Sequence, residues 1–199
     1  MNGSKKAYRI NIDNPHYCIV TSDTKEGTSY GAVKPFGEAM QIQITPSVAS
    51  GQLFGNGATV DSTSLLTGYA IQFDITKIPI EVRAEIYKQT FKDGVLQEKA
   101  GQTAEYIAIG YTVPQSDGTS EYIWLLKGRP EPLASDVKQS ENNINYSTDK
   151  MNINFVKRES DNQLRFIADS AHPDFTEGQA AEWFTNGPST YPKPSQSGS

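Results

Sequence analysis

The sequence predicts a mainly β protein. Apolar residues alternate with polar ones in several separate stretches, helical spacing occurs in only two, and an Asp117-Gly118 step joins two strand-like runs; an alternation of period two is the mark of a half-buried strand. The 199 residues suit one compact unit, and at 36% hydrophobic and 21% charged the chain is too apolar for disorder and too polar for a membrane protein. No window approaches the ~18 uninterrupted apolar residues of a membrane-spanning helix, and no apolar run that would mark an export signal follows Lys5 and Lys6.

Strands are expected over 8–12, 16–21, 30–33, 39–46, 66–75, 105–113, 121–127, 133–139, 150–157 and 164–168. In 39–46, Met40, Ile42 and Ile44 share one face, and Ala39, Gln41, Gln43 and Thr45 share the other, so one side is dry and the other wet or shared. The stretch 66–75 repeats the pattern, with Tyr69, Ile71, Phe73 and Ile75 inward against Ala70, Gln72 and Asp74; Met151, Ile153 and Phe155 repeat it again. The runs 105-EYIAIGYTV-113 and 121-EYIWLLKG-128 are apolar on both faces, which places them centrally in a sheet or beneath a second layer. Gly118 supplies the positive φ their hairpin turn requires.

The period changes at 76-TKIPIEVRAEIYKQTFKDG-94, where a helix is expected. Pro79 suits the first turn, Glu81 the positive end, Lys88 and Lys92 the negative end, and Gly94 a left-handed cap. Ile78, Val82 and Ile86 form its apolar stripe, with Tyr87 and Phe91 beside it. A shorter helix is expected over 176–185, capped by Thr176 and anchored by Trp183 and Phe184. The domain is read as 1–185, followed by a disordered, Pro- and Ser-rich tail over 186–199.

Several chemistries find no support. The three glycines of 51-GQLFGNG-57 resemble a phosphate loop only superficially, since neither a Gly-Lys-Ser/Thr ending nor a helix follows. His16, His172 and Cys18 are the only metal-type nitrogen and sulfur ligands, and the lone Cys18 cannot form an internal disulfide. His16 and Cys18 share one side of a strand but lack a third member, and Asp61 and Glu121 fall at turns and strand ends where solvated acids are ordinary. With a net charge of -5 and scattered cations, the chain lacks the basic cluster that tight nucleic-acid binding requires. No catalytic, cofactor or metal site is expected, and Tyr122 and Trp124 read as core rather than as a sugar platform.

The polar, small-residue stretch 49–64 is long for a connection and lies between the two cleanest alternating strands, like an extended hairpin arm. The order of elements here resembles the major tail tube proteins of long-tailed bacteriophages. The likeness runs over about 14–185 and rests on 16-HYCIVTSD-23, 30-YGAVKPFGEAMQIQITP-46, 51-GQLFGNGATVDS-62, 65-LLTGYAIQFDITKIPIEVRAEIYKQ-89, Trp124 and 128-GRPEP-132, with Gly55, Asn56, Gly57 and Asp61 in the most typical stretch. It implies a β-sandwich or open barrel flanked by one helix, and hexameric rings whose inner strands join into a continuous barrel. Such rings stack into a virion tail tube that conducts DNA without binding it specifically. The resemblance further implies the tape measure, initiator and terminator proteins of the tail as partners.

The arm is then expected to contact a neighbouring subunit or ring and to be mobile in the isolated monomer, through Gly51, Leu53, Phe54, Gly55, Asn56, Gly57, Val60 and Asp61. The lining strands are expected to include 40–44 or 69–73. The main rival reading is a carbohydrate- or surface-binding β-sandwich module of a virion; an enzyme would need two or three of Asp61, His16, Cys18 and Glu121 to converge in a cleft.

Overall fold

The computed structural model describes residues 7–55, 58–134, 149–185 and 187–188, the side chains of 52–61 excepted. The protein is mainly antiparallel β. In chain order the elements are β1 (Asp13–Thr24), β2 (Gly27–Tyr30), β3 (Lys34–Pro35), β4 (Ala39–Gly55), β5 (Ala58–Ile75), α1 (Ile80–Ile86), β6 (Thr90–Lys92), β7 (Val95–Gln97), β8 (Ile107–Pro114), β9 (Ser120–Pro130), β10 (Asp149–Val156), β11 (Arg165–Asp169) and α2 (Glu177–Glu182).

Among the described residues, nine strands form one sheet along the path β2-β1-β8-β9-β10-β5-β4, with β3 joining β1 and β11 joining β9, while β6 and β7 form a separate ribbon. One side of β9 divides between two partners, β11 along 121–125 and β10 along 128–130. The sheet curls. β1 and β4 stand five steps apart along it, about 24 Å if it were flat at about 4.8 Å per strand, yet their Cα atoms approach within 8 Å. Tyr17 of β1 meets Phe36 at 5.2 Å between ring centroids, and Phe36 meets Phe73 of β5 at 5.5 Å.

The concave side holds the main core, in which Tyr69, Ile71, Phe73 and Ile75 of β5 interleave with Met151, Ile153 and Phe155 of β10 and with Ile107, Ile109 and Tyr111 of β8. For β5 and β10 these are the inward faces that alternation predicts. The β8–β9 hairpin turns at Gly118 with φ +87 and is buried on both faces. Its convex face carries Ala108, Trp124 and Leu126, covered by Trp183, Phe175 and Phe184 from the C-terminal segment. Gly110 permits this cover, because a Cβ there would lie 2.7 Å from the Phe184 ring and 2.9 Å from that of Trp124. Trp124 Nε1–H donates to the Trp183 carbonyl at 2.8 Å, which satisfies the one polar atom of a fully buried indole. Thr176 caps α2 through a capping box with Gln179. Gly187 and Pro188, assigned from sequence to the disordered tail, are buried, with Gly187 against Tyr30 and Cys18.

The helical stretch is shorter than its spacing predicts. α1 ends at Ile86, and Lys88 turns left-handed at φ 55, so that Gln89 N–H donates to Ala84 O at 2.8 Å in a Schellman closure made without glycine. Asp93 and Gly94, at φ 52 and 77, form the two-residue turn of the β6–β7 hairpin rather than a helix cap. Phe91 therefore lies in β6, 36% exposed, and does not extend the helical stripe; Ile78 and Ile86 are buried and Val82 packs against the core. Lys88 pairs with Glu105 at 2.6 Å from outside the helix, and Lys92 ends β6. Two short helices are present, one in each stretch where the spacing predicts a helix, whereas the resemblance implies one.

Three strand expectations change. The stretch 8–12 holds only a bridge from Arg9 to Gln115, and the strand expected over 30–33 is β2, ending at Tyr30. Of 133–139, Ala134 bridges Lys150 and the remainder from 135 lies outside the described residues. Met40 leaves the inward face because a bulge falls between Ala39 and Gln41, which puts Ala39 rather than Met40 on the core side with Ile42 and Ile44.

Candidate self-association surface

The expected loop over 49–64 is strand on both sides. β4 and β5 pair continuously from Ala39↔Ile75 to Gly55↔Ala58, so the connection is a long hairpin. β10 accompanies β5 only from Ile75 to Gly68, opposite Val156. Beyond that point the ladder has two strands, and from Val48 to Gly55 it reaches about 23 Å at about 3.3 Å per residue. Its root is built by a bulge at Thr67, since Ser47 pairs Gly68 while Val48 pairs Leu66, and Thr67 Oγ1 donates to Ser47 O at 3.0 Å. Gly68 lies so close to the Phe155 carbonyl oxygen that no Cβ would fit. A bulge and an obligatory glycine together mark the point where three paired strands give way to two.

The described arm residues 47–51 and 62–67 are exposed on both faces. Val48 and Leu66 face each other across one side and Ala49 and Leu65 across the other. Two-stranded ribbons are marginal in water, and three strands or a packed face are needed for independent stability. β4 pairs with no other strand among the described residues, leaving a row of backbone donors and acceptors.

The core side of the arm root continues into an open groove of about 810 Å³, walled by Ile44 and Leu66 on one side and by Ile10, Tyr111 and Ile167 on the other. Ile10 is 65% exposed, Leu66 49% and Ile167 46%. Arg9, paired with Glu121 at 2.8 Å, and Arg165, 4.7 Å above the Tyr69 ring, stand at its margins. A contiguous apolar strip of this kind is the ordinary signature of a surface that is covered in use.

Of the predicted interface residues, Gly51, Leu53, Phe54 and Gly55 lie in β4, and Val60 and Asp61 in β5. Gly51 is exposed; Leu53 pairs Asp61 and Phe54 pairs Thr59, with Val60 the extra residue between them. Asn56 and Gly57 lie outside the described residues. Sequence reading missed Ile10, Val48, Leu66 and Ile167. The adjacent Leu65-Leu66 is the signal that could have found part of the strip, because neighbouring strand positions point to opposite faces.

Among the described side chains, the candidate reactive groups form no cluster of three. His16 stacks on Phe184 at 4.8 Å, and its Nδ1 lies 2.8 Å from Asn14 O. Cys18 is fully buried, and burial pushes its thiol up to about 12, so it is held as the neutral thiol. Glu121 is engaged by Arg9, and nothing is described of the Asp61 side chain. Among the described residues, no three His, Cys, Asp or Glu side chains are grouped to hold a metal, and no helix is long and apolar enough to cross a membrane. Tyr122 packs against Phe175 at 5.3 Å, consistent with a core role. No protein-family model and no curated protein matches the chain.

Proposed function

We propose that this chain is a self-assembling structural subunit whose copies join through the β4 edge and the arm into closed rings, which stack as a virion tail tube for DNA. The observation that supports it is the two-stranded arm, whose exposed Val48, Leu65 and Leu66 and unpaired β4 edge a single copy leaves uncovered. A head-to-tail patch repeated by rotation closes into a ring, six copies in this reading, and edges that are a hazard elsewhere become the joint. The curled sheet then acts as one stave of a larger barrel. Function by assembly needs no cofactor and no turnover, and it leaves tape measure, initiator and terminator proteins as separate partners.

The test replaces residues 47–66 with Asn-Gly, joining Pro46 to Thr67. The core cluster includes no residue of that segment, so the variant is expected to keep its circular dichroism and thermal transition while forming neither rings nor tubes under negative stain. Tubes like those of the unaltered protein, or an unaltered protein that stays monomeric at high concentration, would overturn the reading.

A further inference from the structure

The side of β10-β5-β4 that faces away from the core is paved in register with uncharged polar groups. Asn152, Gln72 and Gln43 stand in one row across the three strands; Asn154, Ala70 and Thr45 form the next, and Lys150, Asp74 and Gln41 the row on the other side. Gln72 Nε2 donates to Asp74 Oδ1 at 3.2 Å, and Asn154 Nδ2 donates to Glu131 Oε1 at 2.9 Å. Gln43, Gln72, Asn152 and Asn154 line a shallow, open concavity of about 240 Å³. The charged groups in these rows are Asp74 and Lys150, opposite each other, with Glu131 at the edge.

From this the geometry points to the carboxamide face as the lining of the conduit, the surface that a passing duplex meets. The inference rests on the tube reading above and adds which face looks inward. The reasoning is topological. If copies join along the β4 edge into a closed sheet, one face must look into the bore. The other face of β10-β5-β4 packs on the protomer's own β1, β8 and β9, so the bulk of each protomer lies outside and only the polar face can line the opening.

The chemistry fits a polyanion in transit. Phosphates are held by clustered cations that displace counterions, and the one lysine in these rows faces an aspartate. Carboxamides keep a hydration layer through both donor and acceptor groups without contributing net charge. The same face offers little to a sugar or an apolar partner, since these rows hold no large apolar side chain and Val156 stands one row beyond them, opposite Gly68 at the arm root.

The test places cysteine at Gln72→Cys and, separately, Gln43→Cys, in a chain whose native Cys18 is fully buried. Assembled tubes are treated with biotin-maleimide and then with streptavidin-gold. The expected result is biotin found by mass spectrometry after dissociation, with gold confined to tube ends. Gold along the outer walls would overturn the inference, because the face would then look outward; absence of biotin would overturn it too, because the face would be sealed between subunits. Two positions guard against one substitution blocking assembly. If the unaltered protein forms no tubes, the proposed function itself fails, a result separable from tubes that form and carry gold on their walls.

Discussion

Asp23 on β1 and Lys127 on β9 form an ion pair at 2.5 Å, with side chains only 5% and 11% exposed, although the two strands are not neighbours in the sheet. The carboxylate also accepts from Thr28 Oγ1 at 2.7 Å and from the Glu159 backbone N–H, which ties β1, β2, β9 and the turn after β10 to one group. Lys127→Met leaves that carboxylate nearly buried without its cation, and removing one partner of such a pair costs about 3 kcal/mol. A fall in the thermal midpoint of about 6–12 °C is expected for a chain of this size, read by calorimetry.

The same pair sets an acid limb. Burial alone raises the Asp23 carboxyl, but the hydrogen bonds from Lys127, Thr28 and Glu159 outweigh it and hold the group below its ordinary 3.8. Glu85 behaves alike, burial being outweighed by Lys34 and Tyr17. A depressed folded value means that the unfolded chain binds more protons in the window between the two values. The stabilisation is therefore complete above the ordinary value and is lost as pH falls through the folded one. Urea midpoints measured from about pH 6 down to about pH 3 should decline, and Lys127→Met should flatten that decline.

At the alkaline end the sign reverses. Burial pushes the phenols of Tyr30, Tyr87 and Tyr111 up to about 12 from an ordinary 10.0. Raised groups stabilise the fold below the ordinary value, and that contribution disappears as pH rises through the folded one. Phenolate absorbance should show these three tyrosines ionising late and together with unfolding.

Gly68→Ala tests the root of the arm. The added methyl meets the backbone of Phe155 rather than the end of a pliant side chain, so the strand must move. Overpacking of this kind costs about 1–3 kcal/mol. Faster amide exchange at Tyr69 and Phe155 is the expected readout, and exchange like that of the parent protein would show that the root tolerates the methyl.

Gly94→Ala isolates conformation from packing. A Cβ there meets nothing within 4 Å, yet the residue sits at φ +77. The cost is then the left-handed penalty alone, about 1 kcal/mol. It should appear as faster amide exchange confined to β6 and β7.

What the sequence made legible was whatever had one dry face. Tyr69 to Ile75 and Met151 to Phe155 alternate because each second residue is buried, and the β8–β9 hairpin announces itself through Asp117-Gly118. The described arm residues 47–51 and 62–67 gave no such alternation, since both their faces are wet. Asp93-Gly94 misled because a helix cap and a two-residue hairpin turn use the same positive φ, and Lys88 ends α1 with a conformation that favours glycine. The bulges at Met40 and Thr67 shift which residues face the core and leave no mark in the alternation before them. The groove depends on the curl of the sheet, which brings Ile10 and Leu66 to one place from distant parts of the chain.

The indole hydrogen bond from Trp124 to Trp183 also has a consequence for biosynthesis. Ala108, Trp124 and Leu126 present an oily surface whose cover by Phe175, Trp183 and Phe184 is complete only once the C-terminal segment has left the ribosome. A nascent chain halted before that point would display this surface to every other polypeptide in the cell. Premature termination upstream of Phe175 should therefore yield inclusion bodies or chaperone-bound product instead of a slightly loosened version of the finished protein.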